Sequence, residues 1–312
     1  MALLDRALSR ALRLLRLVLR PVGRLLNRRP TGPMAPPTPL DAVLAGDDSP
    51  GSLARLLIGR DTAGRQAAVT RYLEHRGIPF RRHPFTRGEG QGETYAVEIG
   101  SGDRILVLCA HHDAVPGSPG ANDNAAAVGV LLHLIARPEG LVPPGWRVRC
   151  LFTALEEIDY LGARVYVEET PLDGIAGVLS LELCGRGDAI ALWDAGDDSP
   201  FQHQVTEALE GAGLVRDQGY HVIGRIPVFG SDHRAFAAAG LSAYGFTLVP
   251  VAHADALRRF VLDPVRSTLR ALFDRPPPFD TYHTSADALP TLEPAALALA
   301  VRALAAVVRG LR

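Results

Sequence analysis

Five short stretches of this chain carry side chains able to hold a metal ion or move a proton. They are His111-His112-Asp113, Asn122-Asp123-Asn124, Glu156-Glu157, Glu182, and Tyr282-His283 with Asp287 soon after. A histidine two residues from a carboxylate can ligate an ion through one ring nitrogen while a hydrogen bond orients the other. Strand side chains alternate, so His111 and Asp113 share one side and His112 takes the other. Asp123 could supply a second ligand, or it could cap the helix that opens behind it. Adjacent carboxylates at the end of an apolar segment need a counter-charge, because unpaired charge is costly to bury. A divalent cation would supply one.

Three of these stretches follow an apolar strand fit to position them, Asn122-Asp123-Asn124 opens a helix, and His283 lies in a late loop. Ile105 to Ala110 is a continuous apolar run, the pattern of an interior strand covered on both faces. Val148 to Ala154 precedes the glutamate pair, and Gly177 to Leu181 precedes Glu182. In open α/β sheets ligands bind at the carboxyl ends of the strands. From Arg104 onward strand-like and helix-like segments alternate, which predicts an α/β fold. Helices are expected over 60–76, 124–136, 161–168, 200–212, 232–239, 264–273 and 294–311. Further strands are expected over 79–85 and 94–99, joined by a glycine-rich turn, and over 189–193 and 242–248. No repeat and no inserted lid domain is apparent in the sequence.

Taken together, HHD, GANDN, EEIDYLGA, LELCG, FGSDHRAF and YHTSAD resemble the ordered motif series of the co-catalytic di-zinc aminopeptidases. That family includes aminopeptidase Y, plasma glutamate carboxypeptidase and the related glutaminyl cyclases. The series runs from about Arg104 to Asp287 in family order. The resemblance implies a single-domain α/β fold, a mixed and mostly parallel sheet with helices on both faces. It implies two zinc ions, or one if the chain is cyclase-like. His111, Asp123 and Glu182 would hold one ion; Asp123, Glu157 and His283 would hold the other, with Asp123 shared. Glu182 occupies a position that is often Asp in the family. Glu156 would be the general base and Asp113 would orient His111. Asp232, His233 and Tyr282 would shape the substrate pocket, although Ser231 or Asp232 could simply cap a helix. The implied activity is removal of an N-terminal residue from a peptide. Glutaminyl cyclisation, carboxypeptidase action and N-deacylation are alternatives on the same zinc chemistry. A non-catalytic binding module would typically have lost ligands.

The composition is that of an ordinary globular protein, 47% hydrophobic and 21% charged, with formal net charge −1. All 33 basic residues are Arg. Residues 1–33 stand apart: they hold eight Arg, six of which (Arg6, Arg10, Arg13, Arg16, Arg20 and Arg24) recur every three or four positions among Leu, Ala and Val, against the single acid Asp5. This spacing describes a basic amphipathic segment. It could lie on an anionic membrane surface, fold on a partner, or precede a translation start at Met34. Its apolar runs are too short for a signal peptide core or a membrane span. Residues 34–52 read as a Pro- and Gly-rich linker, and the catalytic domain is expected from Leu53 to the end. Cys109, Cys150 and Cys184 lie in or beside apolar strands and read as inert buried thiols, which with the missing signal suggests a cytoplasmic protein. The acidic folded part, without interleaved aromatic and basic residues, speaks against nucleic-acid binding. His75, His83, His133, His203, His221 and His253 read as ordinary histidines.

Overall fold

The central strand β3 (Arg104–His111) shows how the sheet is covered. Its side chains alternate between two separate cores. Leu106, Leu108 and Ala110 join the larger one, and Ile105, Val107 and Cys109 the smaller one. A strand that is apolar at every position must be covered on both faces, and this one is.

The computed structural model describes residues 34–196, 198–227, 229–263 and 275–312. Its single mixed sheet has eight strands in the order β1-β2-β4-β3-β5-β8-β6-β7. The strands are β1 (Arg81–Arg87), β2 (Gly90–Gly100), β3, β4 (Trp146–Thr153), β5 (Ile175–Glu182), β6 (Ala189–Trp193), β7 (Tyr220–Val222) and β8 (Ala243–Val249). β3 pairs in parallel with β4 and β5, and β5 pairs in parallel with β8. β1 with β2, β2 with β4, and β6 with β8 are antiparallel. The carboxyl ends of β3, β4 and β5 therefore open side by side, near the middle of the sheet.

The larger core is closed by α1 (Leu40–Leu44), α2 (Pro50–Ala54), α3 (Thr62–His75), α4 (Ala126–Ile135), α6 (Pro200–Gly211) and α9 (Pro294–Arg309). The opposite face is closed by α5 (Leu161–Glu169) and α7 (His233–Ala238). Local chemistry sets the starts of several helices. Asp61 accepts from the Gly64 N–H at 2.7 Å at the start of α3. Ser199 caps α6 by accepting from Gln202 N–H, with Pro200 at the first helical position.

Three expectations need correction. The segment read as a linker holds α1 and α2, and Val43 and Leu44 are buried in the larger core. Asp48 accepts from the Tyr72 hydroxyl at 3.0 Å and from Arg76 at 2.7 Å. The prolines and glycines there begin and separate short helices, and the packed domain starts near Leu40 rather than Leu53. Next, the glycine-rich turn before residue 94 is largely strand, because β2 begins at Gly90. A Cβ on Gly92 would stand 2.9 Å from the Ala154 Cβ, so glycine is what lets the turn after β4 lie across the strand. Finally, α8 (Ala254–Leu262) was not expected; it buries Leu257, Phe260 and Val261 on one side. The helix expected over 264–273 and the basic segment 1–33 lie outside the described residues. None of the described helices is long and apolar enough to cross a membrane.

The packed start of the domain gives a first prediction. A chain beginning at Leu53 loses Val43, Leu44 and the Asp48 hydrogen bonds. Each buried side chain is worth about 1.5–3 kcal/mol. Compared with a chain beginning at Met34, its melting temperature should be lower by on the order of 10 °C. Equal melting of the two would show that α1 and α2 are dispensable.

Candidate metal centre

The parallel strands deliver the chemistry. His111 is the last residue of β3 and Glu182 the last of β5. Glu156 and Glu157 follow β4 after a tight turn in which Leu155 takes φ +55°. Asp123 sits in an irregular turn, Ala121–Ala125, and leaves helical geometry there (φ −113°, ψ 89°) before α4 begins. His283 comes from the late loop in a left-handed conformation, φ +60°. A non-glycine residue there costs on the order of 1–3 kcal/mol, which the surrounding contacts must offset.

These five side chains converge as two sets that share Asp123. His111 Nε2 lies 3.2 Å from Asp123 Oδ1 and 3.4 Å from Glu182 Oε2. His283 Nε2 lies 3.1 Å from Asp123 Oδ2 and 3.2 Å from Glu157 Oε1. Each carboxylate oxygen of Asp123 therefore faces a different set. Tetrahedral zinc with ligands at about 2.0–2.2 Å spaces them about 3.3–3.6 Å apart, close to these separations. Glu157 Oε1 and His283 Nε2 are buried and have no hydrogen-bond partner, although they are neighbours. Buried polar atoms are normally satisfied, so this pair is shaped for something between them. Two of these residues also group with Glu156: His111, Glu156 and Glu157 offer donor atoms within 4.8 Å of one another.

The electrostatics point the same way. Burial opposes charge on His111, but Glu182, Asp113 and Asp123 outweigh it and hold its pKa well above the ordinary value. For His283 burial is likewise overcome, by Glu157 and Asp123, and the pKa rises to about 10. Burial works against ionised Asp123, yet the two imidazoles leave its pKa below the usual carboxylate range. Burial, with Glu182 and Glu157 adding to it, lifts Glu156 well above that range. A field strong enough to protonate two imidazoles is one that would attract a cation. Ligation then requires both imidazoles neutral.

Supports around the donors are extensive. His111 Nδ1 points at Asp113, 3.4 Å from Oδ1 and 3.2 Å from the carbonyl. The same Asp113 carboxylate accepts from the N–H groups of Glu156 and Glu157 at 3.0 and 3.2 Å. Asp113 thus fixes the imidazole and the glutamate pair together. Asn122 accepts from Gly185 N–H, and Asn124 donates to the Leu181 carbonyl, tying the Asp123 turn to the end of β5. Asp287 accepts from the N–H groups of Asn122 and Asp123, tying that turn to the His283 loop. Ser231 donates to Glu182 Oε1. The asparagines flank Asp123 as a polar triplet before an apolar helix, a readable signal; nothing in the sequence marks Ser231 for this role.

The remaining expected residues fall differently. Asp232 is fully buried, accepts from Thr153 Oγ1, and makes no side-chain cap for α7. Burial beneath the carboxylate cluster raises its pKa to about 7. His233 is also fully buried, bonded to Asp194 at 3.1 Å and edge-on to Trp193. Both lie within the fold beneath the donors, without surface exposure. Tyr282 stacks on His283 with ring centroids 3.7 Å apart. It continues into an aromatic group through Phe279 to Phe229 and Phe260. His112 turns away and bonds the Glu93 carbonyl at 3.0 Å.

Residues 94–308 match peptidase family M28. The chain belongs to that family. It is 41% identical over 64 residues to aminopeptidase YwaD of Bacillus subtilis, a stretch that is 20% of this chain and 14% of that protein. Its fold is similar to a leucine aminopeptidase precursor from Bacteroides thetaiotaomicron, with TM-score 0.62 and 14% identity over 90% of this chain and 100% of that one. It is also similar to Porphyromonas gingivalis glutaminyl cyclase, with TM-score 0.61 and 16% identity over 84% and 96% of the two chains. The chain spans 12–16% of the length of the first curated relatives it matches.

Proposed function

We propose that this M28 protein is a zinc-dependent aminopeptidase that removes the N-terminal residue of peptides. The observation that carries the reading is the division of Asp123, with Oδ1 facing His111 and Glu182 and Oδ2 facing His283 and Glu157. One carboxylate shared between two three-residue sets would suit a pair of adjacent ions. When bound, zinc ions polarise a scissile carbonyl and bring a water's pKa to about 7.

The chain's own residues would supply the rest. Glu156 is held at its backbone by Asp113 and has no part in the two sets that share Asp123. Its carboxylate is free to accept the attacking water's proton and return it to the leaving amine. A base works best with a pKa near the working pH, and burial moves Glu156 in that direction. Asp113 keeps His111 in one tautomer with Nε2 facing Asp123. Tyr282 and the aromatic group behind it would form one wall of the substrate site. The separate, buried thiols Cys109, Cys150 and Cys184 are compatible with the cytoplasmic reading.

Metal content and substrate choice test this reading together. Purified protein should carry close to two zinc per chain, and a chelator should abolish hydrolysis of aminoacyl substrates. One zinc per chain with turnover of N-terminal glutaminyl peptides would replace the reading with cyclisation. Full activity in metal-free protein would end it.

A further inference from the structure

Arg65, on α3, is the only buried arginine among the described residues, with none of its surface exposed. Its guanidinium makes four hydrogen bonds, all to main-chain carbonyls: Arg60 at 3.2 Å, Asp113 at 3.3 Å, Pro119 at 2.6 Å and Gly120 at 3.0 Å. It forms no ion pair with a carboxylate of the described residues. A buried charge without a direct partner is costly, so this one needs an explanation. Burial works against its charge, while Asp123, Asp113, Asp287 and Glu157 act on it favourably from a distance. Those four carboxylates are the two that hold the ligands' backbone or ring in place and two of the donors themselves.

Three of the four bonded carbonyls, those of Asp113, Pro119 and Gly120, belong to one loop. It leaves β3 at Asp113 and returns at Gly120, immediately before the turn that carries Asp123. Gly120 takes φ +61°, and a Cβ there would stand 2.2 Å from Arg65 Nη2. Glycine at that point both permits the left-handed turn and admits the guanidinium. A planar fork that reaches both ends of the loop at once is something a lysine ammonium cannot reproduce.

We propose that Arg65 is a positioning residue for the metal centre: from behind the loop it sets the spacing between Asp113, which orients His111, and Asp123, which both donor sets share. The inference rests on the two-set reading of the site. It assigns the guanidinium to ligand placement and sets its charge against the surplus of carboxylates.

The test is zinc affinity of the full chain, stripped of metal and titrated against a chromophoric chelator. Wild type, Arg65→Met and Arg65→Lys are compared, with melting temperatures measured for stripped and loaded protein. Partners of this kind are typically worth about 10–100-fold in metal affinity. Arg65→Met should bind zinc weaker by that factor. Arg65→Lys, which keeps the charge and loses the fork, should recover only part of it. A merely structural role predicts something else: both forms would melt lower by the same amount, and affinity would be unchanged, as linkage requires. Unchanged or tighter binding in a folded variant overturns the proposal. Should Arg65→Met fail to fold, Arg65→Lys decides, with about 10-fold weaker binding expected. Wild type that binds no zinc would instead remove the metal reading itself, whatever the variants do.

Discussion

Glu156→Gln should keep its zinc and its KM while kcat falls by about 10²–10⁴-fold, the usual worth of general acid–base catalysis. The substitution preserves size and removes the proton acceptor. The neighbouring Glu157→Gln should behave differently, because an amide is a poor replacement for a ligating carboxylate. It should lose metal first and activity as a consequence. The contrast is sharp because the two residues share their support. Both N–H groups are bound by the one carboxylate of Asp113, so neither substitution should disturb the other's backbone. What separates them is where the side chains go: Glu157 Oε1 reaches His283 Nε2 at 3.2 Å. Metal content and steady-state kinetics on the same preparations are the measurement. The alternative grouping of Glu156 and Glu157 with His111 makes the reverse outcome meaningful. If Glu156→Gln loses zinc and Glu157→Gln keeps it, the roles are exchanged. If Glu156→Gln keeps near-normal kcat, the base lies elsewhere.

Much of the sheet was legible because apolar runs have few solutions. Ile105 to Ala110 is too short for a helix of its own and too apolar for a surface strand. It could only be an interior strand, and its two core faces follow from period-two alternation. The donor residues were legible in kind, because charge at the end of such a strand needs a partner. Their division into two sets sharing Asp123 came only through the family resemblance, since the geometry depends on an irregular turn whose φ and ψ no local sequence pattern encodes. The supports were least legible. Arg65 is one arginine among many on a helix, and its burial arises from the approach of a loop some fifty residues away. The burial of Asp232 and His233 was equally hidden, because polar residues clustered in sequence give no sign of lying inside the fold. Here Thr153 partners one oxygen of Asp232 and Asp194 one ring nitrogen of His233 inside the fold. The linker misled because Pro and Gly mark helix starts and gaps as readily as open coil. Five-residue helices such as α1 and α2 have too few turns to show periodicity.

Asp123→Asn should produce the largest loss of any single ligand substitution. Glu182→Gln and His283→Gln each damage one donor set and leave the other intact. They should lower the zinc content from about two to about one per chain. Asp123 belongs to both sets, so its amide variant should fall towards zero. The backbone around it is pinned independently by Asp287, which accepts from the N–H groups of Asn122 and Asp123. The turn should therefore survive the substitution, and the loss should be one of donors rather than of folding. A metal centre that polarises a carbonyl is worth several kcal/mol of transition-state stabilisation. At 1.36 kcal/mol per decade, hydrolysis should drop by about 10³-fold or more. Zinc per chain, measured on folded protein for all three variants, separates the possibilities. A pattern of one, one and zero identifies Asp123 as shared. If Asp123→Asn retains one ion, the two sets are independent, and Asp123 serves only the set whose ion is lost. If wild type holds a single ion, the variant that releases it among Glu182→Gln and His283→Gln shows which set is the metal site. In that case the unpartnered Glu157 Oε1 and His283 Nε2 make the Asp123, Glu157 and His283 set the one expected to be filled.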